Sequence, residues 1–185
     1  MTGRFAGVDV TQSFIEVAVR PTGEVWTANS DESGITEIAD KLEYIGPELV
    51  VLEASGRFEL PVAGTLATAG LPFALVPPRS VREFARAIGR MTRMDKSQAG
   101  LLAHFAELVR PEPRPLSEEV IQQLKDIRTR RGQVLEILVL ERGRLHTAPT
   151  VLQRDIQNHL QFLERNISNL EDQLNRTIRY SPIWR

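Results

Sequence analysis

The run Leu49-Val50-Val51-Leu52-Glu53 is apolar for four residues and closes on a carboxylate. An unbroken apolar run of this length marks a strand covered on both faces, as in parallel sheets backed by helices. Upstream, Phe5-Ala6-Gly7-Val8-Asp9-Val10 is a second such run, with an aspartate near its end. The alternating segment Phe14 to Val19 follows across a short turn, Thr11-Gln12-Ser13, which suits a hairpin. Glu24 to Ala28 reads as a third strand after the turn Pro21-Thr22-Gly23. Ile35, Ile38, Ala39, Leu42 and Ile45 have helical spacing. A second helix is expected over Leu60 to Ala69 and a strand over Phe73 to Val76. Ser80-x-x-Glu83 resembles a capping box that opens a third helix, and Lys96 to Val109 forms a fourth. A three-strand meander followed by strand–helix alternation predicts an α/β fold, a mixed sheet flanked by helices.

This pattern stops at Pro111-Glu112-Pro113-Arg114-Pro115, whose alternating prolines impose an extended, helix-breaking stretch. Ten of the 12 glycines lie before residue 111, so the turns belong to the body. Beyond the prolines, apolar residues at 120, 124, 127, 134, 138 and 145 keep a near-heptad spacing, interrupted by Arg131 and Glu141. Leu160, Leu163, Ile167, Leu170 and Leu174 then step cleanly by three and four. His146-Thr147-Ala148-Pro149 is the expected reversal between the two stretches. Phe162 and Tyr180 are the only aromatics from 116 to 180, too few for an independent core. The expected organisation is a body over 1–110, a proline-rich hinge over 111–116 and an antiparallel helical hairpin or coiled-coil arm over 117–185.

At 185 residues the chain holds one ordinary domain and an appendage. Cysteine is absent, which excludes disulfides, thiolate metal sites and cysteine nucleophiles. Three histidines are too few for a histidine-rich metal centre. No run reaches the roughly 18 apolar residues of a membrane helix, and the N-terminus does not read as a secretory leader. A cytoplasmic protein is expected. The net charge of −1 conceals an uneven distribution. Residues 1–78 carry 4 basic and 11 acidic side chains, whereas residues 79–96 carry 6 basic and 2 acidic. An acidic body with one compact basic stripe implies a polyanionic partner at one place.

Three carboxylates stand where chemistry could occur. Asp9 lies near the end of the first strand, Glu53 ends the central strand, and Asp95 opens the last helix of the body. If the two strands are parallel neighbours, Asp9 and Glu53 emerge at one sheet edge, where such folds gather ligands. Hard oxygen donors without His or Cys nearby select magnesium or manganese. Two such ions can flank a phosphodiester and stabilise its attacking and leaving oxygens together. The plainer readings are a solvated strand-end aspartate, a Glu53–Arg57 pair, and a helix cap at Asp95 with Gln98 reaching back. Arg79, Arg82, Arg86, Arg90 and Arg93 share roughly one helix face if the helix persists past Gly89, and they lead through Lys96 to the third acid. Phosphate-backbone contact competes there with a solvated surface.

The segments GVDV at 7–10, LEASGRFE at 52–59, VPPRSVREFARAIGRMTRMDKSQAGLLAHFAE at 76–107 and SPIWR at 181–185 carry a resemblance. Together they resemble the DEDD transposases of the one-ten class of bacterial insertion sequences, related to Piv-type DNA invertases. The resemblance implies a RuvC-like, RNase H-type domain whose acidic tetrad binds Mg2+ or Mn2+ and cleaves DNA during transposition and recombination. Asp9, Glu53 and Asp95 match the first three acids. The fourth follows the third by three residues in the family, and Gln98 stands there. The resemblance also implies element-end and target DNA and a structured guide RNA as partners, whereas the narrow apolar stripe of the arm is what points to a homo-oligomer. Family members continue into a domain carrying a catalytic serine, which has no match here, so the chain reads as an N-terminal portion. A catalytically impaired nucleic-acid-binding and oligomerisation module is the second expectation. Sugar kinases and actin-like ATPases also place an acid in the first strand, but Thr11-Gln12-Ser13 supplies no glycine for their phosphate turn.

Overall fold

The computed structural model describes residues 3–55, 58–89, 97–113 and 116–180. The chain divides into two compact units, one of Met1–Ser117 with Ile178–Arg185 and one of Glu118–Thr177.

The first unit is built on β1 (Phe5–Val10), β2 (Phe14–Arg20), β3 (Glu24–Asn29), β4 (Leu49–Glu53) and β5 (Phe73–Val76), in sheet order β3-β2-β1-β4-β5. β1–β2 and β2–β3 are antiparallel, and β1–β4 and β4–β5 are parallel. This is the mixed sheet expected from the meander and the central apolar run, and its architecture is RNase H-like. The helices are α1 (Glu32–Ile45), α2 (Glu59–Thr68), α3 (Pro78–Ile88) and α4 (Gln98–Val109).

Alternation along each strand sorts the side chains onto two faces. Phe5, Leu49, Val51, Ala74 and Val76 form one buried cluster with Val81 of α3 and Leu101, Leu102, Phe105 and Ala106 of α4. The opposite face presents Ala6, Val8, Val50 and Leu52, all buried. α1 buries Ile38, Ala39, Leu42 and Ile45 of the apolar series its spacing announced, and leaves Ile35 half-buried. Its start is capped by Asp31, which accepts from the Gly34 amide, and its end by Gly46 at φ 61°.

Two helix starts differ from the sequence reading. α3 opens at Pro78 with Pro77 before it, so Ser80 lies inside the first turn and caps nothing. Proline favours that place because it has no N–H to leave unpaired and its φ is already helical. Glu83 accepts instead from Arg79 Nε at 2.7 Å. α4 opens at Gln98 rather than at Lys96, because Ser97 takes the cap, with extended backbone and its hydroxyl accepting from the Gly100 amide.

The second unit is made of α5 (Glu118–Thr147) and α6 (Thr150–Arg179) up to Thr177, two long helices broken at Ala148-Pro149. Arg131 pairs with Glu171 and Arg142 with Glu164, so residue numbers fall on α6 as they rise on α5 and the helices run antiparallel. Val134, Leu138, Leu160, Leu163 and Leu170 form the buried seam. Among the described residues no helix is long and apolar enough to cross a membrane.

Candidate active site

β1 and β4 hold Asp9 and Glu53 together at one end of the sheet. Their parallel register pairs Gly7 with Val51 and Val8 with Leu52, which puts the two acids one step further on, on neighbouring strands and on the same face. α4 crosses that face. Gly7 makes its close approach possible, since a Cβ there would collide with the Ala99 carbonyl oxygen and the Ala103 amide nitrogen. Ala18, Ala99 and Ala103 complete this small-residue contact. The first residue of α4 then reaches the strand ends: Gln98 Nε2 donates to Glu53 Oε2 at 2.6 Å. The backbone beyond Glu53 is tied to β5 through the Ala54 amide, which donates to the Val76 carbonyl.

Two further acids join the neighbourhood. Glu16 lies directly opposite Asp9 across the β1–β2 ladder. Counting back from the Thr11–Phe14 turn pairs these two, so the register itself was the signal that could have revealed Glu16. Glu59 begins α2, is 2% exposed, and accepts from Ser55 Oγ at 2.7 Å. That bond anchors the segment leaving Glu53, and it lies within the LEASGRFE stretch.

Burial holds the Asp9 carboxyl above its ordinary range; the negative charges of Glu16 and then Glu53 push the same way, against one backbone hydrogen bond at Val10. Two carboxyl groups brought together at strand ends in this way offer oxygen donors to a cation. The donors that Asp9 and Glu53 present are hard oxygens, which fit magnesium or manganese. Among the described residues, no three histidine or acidic side chains converge as a metal cage. Asp95, Arg90, Arg93 and Lys96 lie outside the described residues, as does Arg57. Ser97, in extended conformation, is the residue before the helix that carries Gln98. Gln98 is thus the first residue of α4, and the expectation of a helix opening at Asp95 falls on a residue outside those described.

α3 carries the described part of the arginine series, and it ends at Ile88 with Gly89 left-handed at φ 62°, so the helix does not persist past Gly89 as the one-face reading requires. Val81 is buried, and Phe84, Ala85 and Ile88 pack inward, with the Phe84 ring edge-on to Phe105 and His104. Arg79, Arg82 and Arg86 occupy the exposed side.

A family model described as a transposase, of the DEDD type of the IS110 class, matches residues 6–150. The match takes in β1 through α5. The chain belongs to this transposase family. No curated protein matches it. A transposase acts on DNA, and in this one Asp9 and Glu53 stand at the carboxyl ends of adjacent parallel strands with Gln98 against them.

Proposed function

We propose that the chain provides the metal-binding and DNA-cleaving part of an RNA-guided transposase, with Asp9, Glu53 and Asp95 as ligands of Mg2+ or Mn2+. The observation that carries this reading is the meeting of Asp9 and Glu53 on adjacent strand ends beneath the start of α4. A divalent ion bound there supplies Lewis-acid stabilisation of charge on the phosphodiester oxygens. The β1–β4 register sets the spacing of the two carboxylates, and the Gly7 contact holds α4 over them. The basic stripe from Arg79, Arg82 and Arg86 onward through Arg90, Arg93 and Lys96 takes the phosphate backbone of DNA or guide RNA. The apolar seam of α5 and α6 extends into a coiled coil between copies, giving a homo-oligomer.

A second reading is favoured by Gln98. An amide at the fourth position brings no charge to a metal, so a nucleic-acid-binding and oligomerisation module with weak cleavage also fits. Nicking of supercoiled DNA in the presence of Mn2+ separates the two. Cleavage that disappears in Asp9→Asn and Glu53→Gln supports the enzyme. DNA retention without any nicking supports the module.

A further inference from the structure

Gln98 donates to Glu53 across 45 residues of sequence, and nothing about helix formation requires it to do so. Ser97 already caps α4 through the Gly100 amide, which leaves the Gln98 side chain without a capping task. A carboxylate can only accept, so the amide nitrogen is the end that faces Glu53 and the amide oxygen is turned away. An aspartate or glutamate at 98 would lack any donor and would set a like charge against Glu53. We infer that Gln98 is a positioning residue: its amide fixes the Glu53 carboxylate in the metal-free protein, in place of the charge a fourth acid would bring. This rests on the metal-site reading above.

Several features support it. The α4 backbone is held against β1 at Gly7, so Gln98 starts from a fixed point. Glu53 also starts from one, because the Ala54 amide is bonded to Val76. With both backbones fixed, one hydrogen bond decides the orientation of the carboxyl group. Oε2 is engaged and Oε1 stays available to a cation. Partners of ligating carboxylates typically change metal affinity by roughly 10- to 100-fold when removed. The same bond offsets part of the repulsion between Glu53 and Asp9, by satisfying one of the two carboxylates.

The test uses the full chain and two measurements. In EDTA, urea unfolding of Gln98→Leu, Glu53→Ala and the double variant gives a double-mutant cycle. The expected coupling is about tenfold in the unfolding equilibrium constant, as for a hydrogen bond to a charged group. Strict additivity overturns the inference. Calorimetric Mn2+ titration of the wild type and Gln98→Leu is the second measurement, with roughly 10-fold or greater weakening expected. Coupling in EDTA with unchanged Mn2+ affinity reduces the bond to a packing feature and overturns the positioning role. No Mn2+ binding by the wild type sinks the metal-site reading, whatever the cycle in EDTA shows. Gln98→Ala replaces Gln98→Leu should the larger apolar side chain prevent folding.

Discussion

Asp9 and Glu16 face each other directly across the β1–β2 ladder, two carboxylates on one side of an antiparallel pair. Like charges so placed are destabilising, and Glu53 adds a third negative group nearby. Burial first, and then these two charges, raise the Asp9 carboxyl, which therefore works against the fold when ionised. The folded protein holds that proton to higher pH than the unfolded chain does. Metal-free stability should then fall as pH rises from the ordinary aspartate value of 3.8 through the raised folded value, and level off above it. Asp9→Asn should remove that fall and stabilise the neutral, metal-free protein by up to about 1 kcal/mol. Urea midpoints in EDTA from about pH 4 to about pH 7 check it; a destabilised variant at neutral pH would contradict it.

Gly7 tests how the site is seated. A methyl group at this position meets α4 backbone, and backbone cannot move aside as a flexible side chain does. Gly7→Ala should cost about 1–3 kcal/mol, the range for overpacking a well-filled core. Lifting α4 also carries Gln98 away from Glu53. The variant should consequently lose Mn2+-induced stabilisation, measured by thermal melting with and without metal, beyond what its lower stability explains. Full retention of the metal response would show that the α4 approach does not set the site.

β1 and β4 could be read in advance because each opens with four buried residues in succession. Leu49 to Leu52 has no polar residue to blur its boundaries, and Glu53 ends it in both sequence and structure. The parallel neighbourhood of Asp9 and Glu53 followed from the same logic. The start of α4 was not legible in this way, since Asp95, Ser97 and Gln98 all have capping chemistry and only the backbone at Ser97 decides between them. The Gln98–Glu53 bond was beyond sequence reasoning altogether. It depends on how closely α4 approaches β1, and that distance is set by a glycine and three alanines with no polar signal of their own. Glu141 was read as a break in the α5 stripe, but it is a buried member of the seam.

The described arginines of α3 divide into two kinds. Arg79 is already engaged with Glu83, an exposed pair worth little. Arg82 and Arg86 are exposed on the same helix, opposite the residues that pack inward. Replacing both by alanine should weaken nucleic-acid binding for all sequences alike and reduce the salt slope by about one unit for each phosphate no longer neutralised. Folding should be unaffected, because neither side chain is in the core. Filter binding over a salt series on mixed DNA and RNA sequences measures this, and an unchanged slope would mean that the α3 surface is only solvated.

The last prediction concerns the seam of the helical hairpin. Glu141 follows Leu138 by three residues and precedes Leu145 by four, so it occupies a position where an apolar side chain is expected. Its carboxylate accepts from His159 Nδ1 at 3.0 Å and from Arg144 Nη1 at 2.8 Å. These two hydrogen bonds, His159 first, hold the Glu141 carboxyl below its ordinary value. A lowered acid contributes stability that is complete above its unfolded value of 4.5 and is lost as pH falls through the folded one. Hairpin melting, followed by circular dichroism, should therefore drop on the acid side, and Glu141→Gln should remove most of that drop. Glu141→Leu should behave differently again. It completes the apolar seam, and replacing a buried charged group by an apolar one of similar size is often neutral or stabilising. Its melting temperature at neutral pH should equal or exceed that of the wild type. Its weakness should appear in register, since a polar residue in a seam selects one alignment of the two helices over slipped ones. Cross-linking between cysteines placed at Arg131 and Glu171 reports that alignment, because their side chains pair directly in the native hairpin. Efficient cross-linking in the wild-type background that falls in Glu141→Leu, with helicity intact, is the expected result. Equal cross-linking in both would assign Glu141 to stability alone.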